Sequence, residues 1–98
     1  MNITQEKNAD KLTLFIEGRI DTQTAPKLEE TLGQSLDGVA KLIIDLKQTS
    51  YVSSAGLRVL LTAQKRMNKQ GSLTVINANE DLMEIFEVTG FTDILTFA

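Results

Sequence analysis

From Lys11 to Ile16 the chain alternates, with Leu12, Leu14 and Ile16 on one side and Thr13 and Phe15 on the other. This period of two predicts a β-strand, closed by Gly18. The weaker segment Met1 to Lys7 precedes it, and the turn formers Asn8-Ala9-Asp10 between them predict a leading hairpin. Beyond Asp21 the period changes. Leu28, Leu32 and Leu36 recur at helical spacing, with Thr24 as the expected N-cap and Pro26 in the first turn, where its missing N–H is not needed. Gly38 is the expected stop.

Leu42-Ile43-Ile44, within Lys41 to Leu46, is an unbroken apolar run and predicts a strand covered on both faces. Lys47 to Ser53 reads as a loop, and a second helix starts at or near Ser54. Its inward positions are Leu57, Leu60, Leu61 and Met67, with Gln64 as a polar break and Gly71 as the end signal. Lys65, Arg66 and Lys69 gather in its last turns, at the negative end of the helix dipole. Ser72 to Ile76 predicts another buried strand. Asn77 or Asn79 caps a short helix that turns Leu82, Ile85 and Phe86 inward and stops at Gly90, and Phe91 to Phe97 supplies a last strand.

The resulting order is β-β-α-β-α-β-α-β, and helices alternating with strands imply parallel pairs joined by right-handed crossovers. The expected fold class is α/β: a single, mostly parallel mixed sheet with an N-terminal hairpin and helices packed against it. One domain spanning residues 1–98 accounts for the whole chain. Function in such sheets gathers at the carboxyl ends of the strands. Two loops lie there, Gly18 to Thr24 and Lys47 to Ser54.

Composition narrows the chemistry. The chain has no cysteine and no histidine, so disulfides, thiolate nucleophiles, the usual near-neutral base and the commonest zinc ligands are all missing. A small hydrolase using Ser54 would have only lysine or carboxylate as its base, which argues against an enzyme, and no metal or cofactor is expected. The net charge of −3 argues against nucleic acid as a partner. No stretch approaches the length of a membrane helix, and the N-terminus lacks the basic start and apolar run of a signal peptide. The expectation is a cytoplasmic protein without membrane insertion.

The most informative segment runs from Asp45 to Leu61, where two adjacent serines, Ser53 and Ser54, stand at a loop-to-helix junction followed by Ala55 and Gly56. Local physics explains a serine there as an N-cap and the small residues as room for close packing. The same geometry also suits a phosphorylation switch. A helix N-terminus tolerates a phosphate, which adds about −1.5 to −2 charges and can spoil a partner interface without unfolding its own domain. Arg58, one turn after Ser54, is either a solvated helix-face residue or a phosphate neighbour. Asp21 is either a turn residue at a helix start or part of a functional surface, and Asp45 reads as a stabiliser of loop backbone. Tyr51 and Val52 either form an apolar patch or are buried under the loop.

Tyr51 to Leu60 resembles the signature of the anti-sigma factor antagonist group of STAS domains: an aspartate, a phosphorylatable serine, a small residue, then Gly-Leu. Matched on Gly56-Leu57, Ser54 falls on the phosphorylated serine, Ala55 on the small position, and Ser53 where aspartate is common. Ser53 is thereby a rival acceptor. Glu17-Gly18-Arg19-Ile20-Asp21 with Thr24-Ala25-Pro26, Leu42 to Leu46, and Val88-Thr89-Gly90-Phe91 are similar to other stretches of the family. The chain ends soon after its last strand, where many members continue into a C-terminal helix.

The resemblance implies a bacterial phosphoprotein of transcription regulation that works by partner switching. Unphosphorylated at Ser54, it would bind an anti-sigma factor with serine kinase activity and so free the sigma factor. Phosphorylation would release it, and a serine phosphatase would reset it. Asp21, Tyr51, Val52, Ser53, Ala55, Gly56 and Arg58 are the expected partner-binding residues, and Ser54 would be both cap and switch. The alternative is a non-switching STAS subunit of a larger assembly, such as a lipid-transport ATPase complex or a stressosome-like scaffold.

Overall fold

The computed structural model describes every residue from Met1 to Ala98. β1 (Asn2–Asn8) and β2 (Lys11–Ile20) form the expected antiparallel hairpin, Asn8 opposite Lys11 across a tight turn at Ala9 and Asp10. α1 (Ala25–Ser35), β3 (Lys41–Asp45), β4 (Thr49–Val52), α2 (Ser54–Gln70), β5 (Ser72–Ile76), α3 (Glu80–Val88) and β6 (Thr96–Phe97) follow. The sheet has six strands, in the order β1-β2-β3-β5-β6, with β4 attached to β2. All pairings after the hairpin are parallel.

Each crossover steps across the sheet in the same direction. With one handedness of connection, that places all the helices on one face. Leu12, Leu14 and Ile16 of β2, Leu42 and Ile44 of β3, and Leu73 and Val75 of β5 are buried beneath them. Leu28 and Leu32 pack from α1, Leu36 from just past its end, and Leu57, Leu60 and Met67 from α2. Burying each such side chain contributes about 1.5–3 kcal/mol.

The other face is open. Thr13, Ile43, Thr74 and Ile76 are only half-buried there, and Phe15 is exposed. Strand β3 is therefore not covered on both faces: its apolar run alternates between core and open face, and residue type alone did not carry that distinction.

Four further expectations are corrected. The stretch Lys47 to Ser53 is not all loop, because Thr49–Val52 forms β4, so the element order gains a strand. Thr49 is buried and donates its hydroxyl to the Ile16 carbonyl at 2.7 Å, anchoring the new strand to β2. Phe91 to Phe97 is mostly not strand: Phe91–Asp93 forms a 3₁₀ turn, and only Thr96–Phe97 pairs with β5. Thr24 does not cap α1 with its side chain, since that hydroxyl is turned back to the Asp21 amide and the Arg19 carbonyl. Lastly, Leu61 is only half-buried, and Val59 and Ala63 take core positions on α2.

Asn79 caps α3 by accepting the Leu82 amide at 2.9 Å, and Gly71 ends α2 with its amide on the Met67 carbonyl at 2.7 Å. Gly71 lies directly against the Ala40 backbone, where a Cβ would overlap the Ala40 carbonyl.

Strand β2 changes neighbour along its length. Lys11 to Phe15 pair with β3, and Gly18 to Ile20 pair with β4. The change falls between Phe15 and Gly18, and the new pairing begins with an irregularity between Gly18 and Arg19, where Gly18 has φ +101 and the chain needs a residue without a Cβ penalty. This fork lets β4 run out beside the end of β2 and hand the chain directly to α2.

Candidate functional site

The ends of β2 and β4 deliver the junction that holds the two serines. Ile20 pairs with Val52, and the next amide, Ser53 N–H, donates to the Ile20 carbonyl at 2.8 Å. That bond holds Ser53 in extended backbone (φ −86, ψ 175), and its Oγ accepts the Gly56 amide at 3.3 Å. Ser53 is therefore the N-cap of α2. Ser54 is the first helical residue, exposed and free of any capping bond, so the expectation that Ser54 is itself the cap is corrected.

Helix geometry leaves the Ser54 and Ala55 amides without intrahelical acceptors, beside the positive end of the dipole. The first turn of α2 carries no acidic residue, and the whole helix contains none. Nothing in its own helix opposes a negative group on Ser54.

The neighbouring positions divide into surface and support. Tyr51 is 37% exposed, and Arg58 is exposed on the outer face of α2. Ala55 is half-buried. Val52 is buried at 2% and points into the core with Ile20, so it lies beneath the surface rather than on it. Gly56 is buried too, and a Cβ there would lie 2.7 Å from Ile20 Cγ2 and 3.1 Å from the Ile20 carbonyl oxygen. These two positions set how closely α2 starts against β2.

Asp21, in the adjoining loop, is highly organised. Its Oδ1 accepts the Gln23 amide at 3.0 Å and the Thr24 amide at 3.1 Å, and its carbonyl accepts the Ala25 amide at 2.8 Å. Thr24 Oγ1 in turn accepts the Asp21 amide at 2.8 Å and donates to the Arg19 carbonyl at 2.7 Å. Asp21 thus organises the turn that leads into α1, and α1 itself has no side-chain cap. The Thr24 amide, followed by the Gln23 amide, holds its carboxyl below the ordinary carboxylate value, because both favour the ionised form; Arg19 adds to this.

Asp45 belongs to a separate network. Its Oδ1 accepts the Lys47 amide at 2.9 Å and the Asn77 side-chain amide at 3.1 Å, stabilising the loop as expected. The structure does not bring Asp45 and Asp21 into a shared acid/base pair. No cluster of three or more metal-ligating carboxylates exists anywhere in the chain, and no helix is long and apolar enough to cross a membrane.

The residue that sequence reasoning missed is Arg19. Its guanidinium lies over the Tyr51 ring, 4.5 Å from the centroid, and its Nε is 3.6 Å from Asp21 Oδ2. Alternation along β2 could have shown Arg19 pointing outward, but only β4 sets Tyr51 opposite it.

The STAS domain family model matches residues 1–98. The chain is 38% identical over 101 residues to the anti-sigma-B factor antagonist of Listeria monocytogenes, covering 97% of this chain and 88% of that protein. It is also 38% identical over 96 residues to the anti-sigma-B factor antagonist of Bacillus subtilis, with the same coverage. Among solved structures, an anti-sigma factor antagonist from Mycobacterium paratuberculosis superposes with a TM-score of 0.88 at 24% identity, over 98% of this chain and 83% of that one. The chain belongs to the STAS domain family.

Proposed function

We propose that this STAS domain is an anti-sigma factor antagonist that switches partners through phosphorylation of Ser54. Unphosphorylated, it binds an anti-sigma factor with serine kinase activity, so that the sigma factor is freed; phosphorylated, it lets go, and a serine phosphatase restores it. It works in the cytoplasm and supplies a surface and an acceptor hydroxyl rather than catalysis. The names borne by its 38% identical relatives support this reading over a transporter-subunit or scaffold role.

One observation carries the choice of acceptor. Ser53 uses its hydroxyl on the Gly56 amide, whereas Ser54 projects from the first helical position with no bond to lose. In the transfer, Ser54 Oγ attacks the γ-phosphorus of ATP, the bond to the bridging β,γ-oxygen breaks, ADP leaves, and the serine proton passes to a base on the kinase. The product sits where free amides and the helix dipole accept an anion, so the domain keeps its fold. The added charge and its water then oppose reassociation with the partner. Asp21, Tyr51, Ser53, Ala55 and Arg58 form the surrounding contact surface, with Val52 and Gly56 beneath it.

The test is intact-mass analysis with site mapping after incubation with the cognate anti-sigma factor and ATP. One added phosphoryl group on Ser54, absent from Ser54→Ala, is expected. The same mark on Ser53 moves the site, and no mark at all sinks the switch.

A further inference from the structure

Arg19 stands apart from the other basic residues of this surface in how it is held. It pairs with Tyr51 across β2 and β4, one step before the Ile20–Val52 pair that leads directly into Ser53. Its guanidinium carbon lies over the Tyr51 ring, 4.5 Å from the centroid. Its close polar neighbour is Asp21 Oδ2, 3.6 Å from Nε, an ion-pair distance longer than a hydrogen bond. The side chain is nonetheless 60% exposed. With its carbon over the Tyr51 ring and its Nε side steadied by Asp21, the exposed guanidinium keeps N–H donors that no hydrogen bond within the chain uses.

Ordering a side chain as long as arginine costs rotamer entropy before any partner arrives. Stacking on Tyr51 and the Asp21 pair offset that in the free protein, so binding need not supply it again. Tyrosine and arginine held this way are the residue types that dominate interface energetics. The guanidinium fork matches the geometry of a carboxylate, which accepts two parallel N–H bonds, and lysine cannot reproduce it.

We infer that Arg19, stacked on Tyr51, is the specificity-determining anchor of the partner surface and receives a carboxylate from an aspartate or glutamate of the anti-sigma factor. The inference rests on the antagonist reading above, and it adds both a residue and the chemistry of the partner group. Asp21 thereby gains a second role. Besides organising the start of α1, it steadies the Nε side of the guanidinium through Oδ2.

The experiment measures affinity for the anti-sigma factor encoded by the same genome, using isothermal titration of the unphosphorylated full chain at low and high salt. Arg19→Ala is expected to weaken binding by about tenfold and to flatten its salt dependence. Arg19→Lys should fall between the two, and Arg19→Glu should bind more weakly than Arg19→Ala. Thermal melts of all variants are run alongside, because a merely structural arginine would lower the melting temperature and leave the salt dependence alone.

Reversal to lysine of the partner carboxylate that meets Arg19 should recover binding to Arg19→Glu, while no such rescue is expected for Arg19→Ala. Wild-type affinity and salt response in Arg19→Ala would overturn the inference while leaving the antagonist reading intact. A wild-type chain that fails to bind the anti-sigma factor at any salt would overturn that reading, and the inference with it.

Discussion

Ser53 Oγ accepts the Gly56 amide at 3.3 Å, which sets the cap of α2 one residue before the exposed Ser54. The two adjacent hydroxyls therefore have separable roles. Ser53→Ala removes a cap and should cost about 1 kcal/mol of stability, whereas Ser54→Ala should stay within about 0.5 kcal/mol of wild type. Ser53→Asp should retain full stability, since aspartate caps as well as serine does. Urea denaturation of the three variants checks this, and equal losses in both alanine variants would refute the division of labour.

A fixed negative charge at position 54 should separate folding from binding. Ser54→Asp places a carboxylate in the first turn of a helix that has no acidic residue there, so stability should hold or rise by about 0.3–1 kcal/mol. Binding to the anti-sigma factor should weaken strongly at the same time. Melting curves and binding isotherms on one preparation read both effects, and a destabilised variant would show that the helix start does not welcome an anion.

Gly56 is where α2 comes closest to the sheet. Alanine is ordinarily the better helix former, but its methyl here would stand 2.7 Å from Ile20 Cγ2 and 3.1 Å from both the Ile20 carbonyl oxygen and Val52 Cγ1. The helix start must shift, so Gly56→Ala should destabilise by about 1–3 kcal/mol. Because that shift also moves Ser53 and Ser54, phosphorylation of the folded variant should slow. Gly33, whose Cβ would meet nothing, is the control: Gly33→Ala should stabilise α1.

What could be read from the chain tracks how each element is held. Leu12, Leu14 and Ile16, and Leu28, Leu32 and Leu36, each face the one core, so period alone revealed β2 and α1. Thr49–Val52 has no such period: its two end residues are buried and its two middle ones exposed. It is a strand because the fork in β2 offers it a partner, a tertiary fact with no local signature. Arg19 over Tyr51 depends on that same pairing and was hidden for the same reason. The choice between Ser53 and Ser54 as cap was likewise settled at a distance, by the Ile20 carbonyl that fixes Ser53 in extended backbone. Thr24 does stand at the N-cap position, but its hydroxyl is drawn back to the Asp21 amide and the Arg19 carbonyl, so it caps nothing.

The Asp21 carboxyl, held below its ordinary value near 3.8 by the Thr24 and Gln23 amides, gives a pH signature. The unfolded chain binds that proton more readily than the folded one. The stabilisation is therefore complete above the ordinary value and is lost as pH falls through the lower, folded value. Asp21→Asn cannot ionise, so it should be less stable than wild type near neutrality, and the gap should narrow progressively below about pH 4. Urea midpoints for both proteins across the range from neutrality into strong acid measure it. A gap that stays constant throughout would assign the role of Asp21 to neutral hydrogen bonding alone.

Gln64 carries the one buried side-chain oxygen or nitrogen left without a partner. The residue is 8% exposed, its Nε2 donates to Asn68 Oδ1 at 2.7 Å, and its buried Oε1 has no partner. An unpaired buried acceptor costs about 1–3 kcal/mol, more than the single hydrogen bond to Asn68 returns. Asn68 is exposed, so water can replace that bond when Gln64 is changed. Gln64→Met keeps nearly the same length and flexibility without the polar atoms, and should stabilise the domain by about 1 kcal/mol. Because the site lies several turns along α2 from Ser54, phosphorylation and partner affinity should stay at wild-type levels. A loss of stability in Gln64→Met would mean that Oε1 is satisfied in solution, and a buried water would then be the group to look for.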